Sequence, residues 1–134
     1  METIQTIYEG ELRTRAKHLQ SGNEIITDAP VDNHGKGEAF SPTDLLAASL
    51  GSCMVTIMGI VVDRNNMNID GTKMKINKVM GSNPRRVSEV IVEFDMPHNN
   101  FSDEEKEMLY NAAVNCPVAK SLHTEVKQTV KFNY

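Results

Sequence analysis

Cys53 and Cys116 are the only two cysteines of the chain, and each stands in a segment suited to a working thiol. Cys53 lies inside Leu45–Val62, a stretch without a charged residue. Ser49 and Thr56 neighbour it at helical spacing and Ser52 is adjacent, so an otherwise apolar helix carries one small, polar stripe. A thiolate needs hydrogen-bond donors of that kind, whereas a buried filler does not. Cys116 is followed by Pro117, where one helical pattern ends and a short one can begin. A thiol at a helix N-terminus is acidified by the helix dipole. Neither cysteine belongs to a CxxC, which excludes a thioredoxin-type motif. The competing reading of each is a small apolar filler, since free cysteine is among the most buried residue types. If the fold brings the two together, they form a pair that can be oxidised and reduced.

Little else in the chain offers chemistry. His18, His34, His98 and His123 are scattered, with no HExxH and no paired CxxC, so no metal site is implied. The run His34–Glu38 lacks the preceding strand and the GK[ST] ending of a phosphate loop. A net charge of −4 argues against a nucleic-acid partner, which calls for a concentrated basic face. Arg13/Arg15/Lys17 and Arg85/Arg86 are too short for one and read as strand or turn charges. No basic segment followed by an apolar one opens the chain, so the reading is cytoplasmic. In that reducing compartment a transient catalytic disulfide is the expected kind. No flavin, haem or other cofactor motif is present.

The elements that position the cysteines follow from pattern. Thr3–Tyr8, Leu12–Leu19 and Glu24–Thr27 read as strands, broken at Glu9-Gly10 and Ser21-Gly22-Asn23, and a loop runs from Asp28 to Phe40. Ser41 is the N-cap of a helix, with Pro42 first and Asp44 in the position of a capping-box acid. That helix runs to Val62 and is apolar nearly all round, which predicts a central buried helix rather than a membrane span. Lys73–Met80 and Val87–Met96 are strands joined by a turn at Gly81–Pro84. The second of them has an apolar face, Val90/Val92/Phe94, and a mostly charged one, Glu89/Ile91/Glu93. Ser102 and Glu105 form a capping box for a second helix, whose apolar side carries Met108, Leu109, Ala112, Ala113 and Cys116. Pro117–His123 forms a short helix and Val126–Phe132 a last strand. The fold class is α+β, a single domain over residues 1–134.

The run FSPTDLLAASLGSCMVTIMGIVV with the later NCPVAKSLH resembles the OsmC/Ohr family of thiol-dependent hydroperoxide reductases. The resemblance extends from about Ile7 to Tyr134. It implies an OsmC-like fold of antiparallel sheets packed on long central helices, in an intertwined homodimer with active sites at the interface. It further implies that Cys53 attacks the peroxide and becomes a sulfenic acid, and that Cys116 resolves it to a disulfide. An arginine of the N-terminal strands steadies the thiolate in that family; Arg13 matches best and Arg15 is the alternative. Hydroxyls of Ser49 or Thr56 would assist, and an apolar wall of Leu50, Met54 or Ile57 would suit an organic or lipid hydroperoxide. The reductant is then an external dithiol, such as a lipoyl protein. One departure stands out: the best-known branch has glutamate directly after the helix-start proline, and here Thr43 occupies that position. Thr43 supports the rival class, a dimeric scaffold or small-ligand binding protein with slow thiols.

Overall fold

The structure, a computed structural model, describes residues 1–134. It divides into two compact units, Met1–Leu46 and Ala47–Tyr134. Helix α1 (Pro42–Arg64) begins in the first and runs on into the second.

The first unit is a three-stranded antiparallel sheet in the order β1 (Ile4–Gly10), β2 (Arg13–His18), β3 (Glu24–Asp28). The turn between β1 and β2 falls at Gly10, Glu11 and Leu12, all at positive φ, and Gly22 supplies the left-handed position of the next turn. The register puts Ile4, Tyr8, Ala16 and Ile25 on one face, and Ile4, Tyr8 and Ile25 are all exposed there. The other face carries Arg13, Arg15, Ile26 and Asp28. The loop after β3 contains a 3-10 turn, Val31–Asn33, and folds back so that Asp28 N–H donates to Phe40 O. Gly35 N–H donates to Pro30 O and Gly37 N–H to Ala29 O. At the start of α1, Ser41 N–H donates to the Asp44 carboxylate and Asp44 N–H to Ser41 Oγ, at 2.9 and 3.0 Å, so the aspartate completes the expected reciprocal cap.

The second unit holds β4 (Lys73–Gly81), β5 (Arg86–Asp95) and β6 (Lys127–Asn133) in that order. β4 and β5 are antiparallel, but β6 runs parallel to β5, a departure from antiparallel pairing throughout. The reason is the connection: β5 and β6 are joined through α2 (Asp103–Val114) and α3 (Pro117–Ser121), and such a crossover returns the chain in the same direction. Register places Met74 and Ile76, Val90, Val92 and Phe94, and Gln128, Val130 and Phe132 on one face. Phe94 stacks on Phe132 with ring centroids 4.8 Å apart. A Cβ on Gly51 would come within 2.5 Å of Ile76 Cδ1, so this glycine is what allows α1 to approach the sheet closely. The α1 stripe Leu50, Met54, Met58 and Val62 is buried, as are Leu109, Ala112 and Ala113 of α2. Each large apolar side chain so buried contributes about 1.5–3 kcal/mol.

The structure corrects the expectation that α1 is covered all round. Only one stripe is buried; Ile60 is 44% exposed, and Cys53, Val55, Ile57 and Val61 are half-buried. The helix is long and apolar enough to cross a membrane, with a mean hydropathy of 2.2 over an 18-residue window. Its buried stripe packs as a core helix does. Ser102 and Glu105 make the anticipated capping box of α2, through both reciprocal bonds.

Gly35 is the position where the loop is least tolerant. A Cβ there would sit 1.8 Å from Ala29 O and 2.2 Å from Ala29 C, both backbone atoms. Gly35→Ala must therefore open the loop, and should cost about 1–3 kcal/mol. A lower urea midpoint with an unchanged m-value checks this.

Candidate functional site

Both thiols belong to the second unit. Cys53 stands on α1 one residue before the buried Met54 and is itself half-buried. Cys116 follows the C-cap of α2, Asn115, and is the N-cap of α3, with no exposed surface. Both are free thiols, and Cys53 is near enough to Cys116 to act on its ionisation. The two cysteines are thus neighbours in the second unit, Cys53 half-buried and Cys116 enclosed.

Cys116 Sγ accepts the Ala119 N–H at 3.4 Å, the capping bond of α3. Pro117 opens that helix, where its missing N–H costs nothing. The expectation that this helix end acidifies the thiol is overturned. Burial pushes the Cys116 thiol up from its ordinary value; the backbone N–H groups of Ala119 and Val118 pull the other way, and the Cys53 sulfur adds to the rise. Desolvation of a fully enclosed sulfur outweighs the dipole of a five-residue helix. Cys116 is held as a protonated thiol.

The polar stripe near Cys53 is arranged differently from the sequence expectation. Thr56 donates its hydroxyl to the Ser52 carbonyl at 2.7 Å, one helical turn back, so it is committed to the backbone. Ser49, Ser52 and Thr56 are all exposed. Of the anticipated apolar wall, Leu50 and Met54 face the core with no accessible surface, and only Ile57 offers apolar surface on the outer side of the helix.

In the first unit, Arg13 and Asp28 are directly opposed across β2 and β3. Arg13 Nε and Nη2 donate to the two Asp28 carboxylate oxygens, each at 2.7 Å. Glu38 approaches Nη2 at 3.5 Å, and its backbone N–H donates to Asp28. Asp28 is 1% exposed, so this is a bidentate pair on a buried carboxylate. Arg13 holds the Asp28 carboxyl below its usual range, and Asp28 in turn raises the Arg13 guanidinium further above neutrality. Arg15 pairs instead with Glu9, at 2.9 Å and in a far more exposed setting. Asp28 and Glu38 escaped the sequence reading. Asp28 ends a strand before a loop, and only the register of β2 against β3 identifies its partner. Thr43 Oγ1 lies 3.1 Å from Ser41 Oγ at the start of α1.

Among curated proteins none matches the chain. The family model described as OsmC-like protein matches residues 35–131. A proposed osmotic stress induced and detoxification response protein from Psychrobacter arcticus 273-4 is 53% identical, with a TM-score of 0.96 over 99% of this chain and 96% of that one. An organic hydroperoxide resistance protein OsmC from Legionella pneumophila shares the fold at 16% identity, with a TM-score of 0.77 over 100% and 98% of the two chains. The organic hydroperoxide resistance protein OhrB of Bacillus subtilis does so at 16% identity and a TM-score of 0.68, over 98% of each chain.

The Arg13–Asp28 pair has a definite pH signature. A carboxyl whose folded value is depressed stabilises the fold fully above the unfolded value, about pH 3.9, and loses that contribution as pH falls further. Asp28→Asn should therefore lower the urea midpoint at pH 7, and the gap to the unmodified protein should close below about pH 4. Denaturation series from pH 7 to pH 3 read this directly.

Proposed function

The chain belongs to the OsmC-like protein family, and on that footing we propose that it is a thiol-dependent hydroperoxide reductase acting on organic or lipid hydroperoxides. The observation that carries the reading is the asymmetric thiol pair: Cys53 half-buried, Cys116 beside it, enclosed and protonated. Of the two, only Cys53 keeps exposed surface, which in this reading makes it the thiol that meets the peroxide. The names of the Legionella and Bacillus proteins support the same substrate class.

In this reading the Cys53 sulfur attacks the terminal oxygen of the hydroperoxide as a thiolate. An S–O bond forms, the O–O bond breaks, and the departing alkoxide takes up the proton that left the thiol, giving an alcohol. Cys53 is now a sulfenic acid. The Cys116 sulfur attacks it, an S–S bond forms, and the hydroxyl leaves with the Cys116 proton as water. An external dithiol, of which a lipoyl protein is one, returns the disulfide to two thiols by exchange. Arg13 supplies the cation that favours the thiolate and the developing alkoxide, with Arg15 as the alternative. Asp28 is suited to keep that guanidinium fixed. No metal or organic cofactor takes part in these steps.

The working form in this proposal is a cytoplasmic homodimer. Ile4, Ile7, Tyr8, Ile25 and Phe40 are each more than half exposed, and the outer side of α1 adds Ile57, Ile60 and Val61. So much large apolar surface calls for a partner, and a second copy of the chain presents the same surface. Sedimentation at micromolar concentration should give a single species of about twice the 14.9 kDa chain mass. A stable folded monomer there would remove the dimer.

Single-turnover loss of an organic hydroperoxide tests the chemistry. Cys53→Ser should abolish it. Cys116→Ser should keep one stoichiometric reaction, leave a trappable sulfenic acid and lose sustained turnover with a dithiol. Arg13→Ala should slow the first step by about tenfold or more. An undiminished rate in Cys53→Ser would sink the peroxidase reading and favour the binding scaffold to which Thr43 points.

A further inference from the structure

Gln128 is the one polar side chain that β6 places on the mostly apolar inner face of the sheet, where Lys78 of β4 is the other polar residue. It sits on β6 opposite the fully buried Val90, on the face shared by Val92, Phe94, Val130 and Phe132. A polar group there is costly unless hydrogen-bonded. Its Nε2 donates to the carbonyl of Ala119 at 3.0 Å, in a part-buried setting. Ala119 lies in the last turn of α3, where a helix provides no N–H for its own carbonyls. The N–H of the same residue is the donor to Cys116 Sγ. One buried residue therefore links the side chain on β6 to the sulfur at the head of α3.

Five residues are far too few for a helix to persist by itself. α3 has a cysteine cap at one end and, besides its own Ser121 hydroxyl on Pro117 O, the Gln128 amide near the other. β6 is anchored to β5 by a continuous ladder and by Thr129 Oγ1 donating to Glu89. The amide thus ties a short, weak turn to a rigid strand.

We propose that Gln128 is a positioning residue for the resolving step: by holding Ala119 it keeps the Cys116 sulfur aimed at Cys53 when Cys53 has become a sulfenic acid. The inference rests on the two-thiol reading above and adds to it the group that orients the second thiol. Gln128 touches neither peroxide nor sulfur. Cys53 belongs to α1, so loosening α3 should spare the attack and slow only the formation of the S–S bond, in which Cys116 loses a proton and Cys53 loses its hydroxyl as water.

Two variants separate the hydrogen bond from the packing. Gln128→Leu removes the donor, and Gln128→Glu keeps the shape but carries no donor when ionised. Reduced protein is mixed with one equivalent of cumene hydroperoxide, quenched with dimedone over a time series and weighed intact. Both variants should consume the peroxide at the unmodified rate, while conversion of sulfenic acid to disulfide slows about three- to tenfold, the scale of one hydrogen bond. Dimedone adducts rise correspondingly. The same slowing should appear when diamide forms the bridge, a reaction that needs no peroxidase activity. If diamide bridging slows while the unmodified protein ignores every hydroperoxide, the positioning role stands and the peroxidase reading falls. Bridging at the unmodified rate in both variants overturns the positioning role, as does parallel slowing of attack and resolution. Should Gln128→Leu fail to fold, the isosteric Gln128→Glu decides alone.

Discussion

The seating of α1 on the inner face of β4-β5-β6 is the constraint on which the site depends. Gly51 has no side chain to hold Ile76 away, so the helix can come down until Leu50, Met54 and Met58 are fully enclosed. Once that stripe is fixed, the rotation of the helix is fixed as well, and with it the direction of every other residue on it. Cys53 is adjacent in sequence to Met54 and is turned partly off the core. Its half-burial is thus a consequence of packing elsewhere on the helix, since a rotation that buried it further would lift a large apolar side chain into water.

The second sulfur obeys a different balance. Cys116 is a cap, and a cap at a helix N-terminus is ordinarily a place where a thiol ionises readily. Here α3 is five residues long and the sulfur has no accessible surface. The dipole of so short a helix is small, while the desolvation of an enclosed charge is large. The proton stays on Cys116. Two cysteines of the same chemistry are thereby made unequal by surroundings alone: one keeps exposed surface and the other has none.

Much of this was legible in the sequence, for local reasons. The caps Ser41/Asp44 and Ser102/Glu105 are reciprocal bonds between near neighbours, and the alternation along Val90, Val92 and Phe94 reports its own face. What stayed hidden depends on register between distant segments. The parallel direction of β6 follows from the crossover through α2 and α3, and no residue of β6 announces it. The partner of Arg13 is Asp28 because β2 and β3 pair at that register. Thr56 looked like a donor for a thiolate, but a hydroxyl in a helix has the carbonyl one turn back within reach, and takes it.

Thr43 can be understood in the same terms. A carboxylate beside the helix-start proline would be one way to hold an arginine of the N-terminal strands. This chain has a hydroxyl there, engaged with Ser41, and the guanidinium is held instead by a carboxylate from the neighbouring strand, with Glu38 in support. A strand partner opposed in register is more rigid than one at a helix terminus, and its near-complete burial keeps water from competing for the two bonds. The guanidinium of Arg13 is thereby fixed in charge and orientation without a carboxylate at position 43.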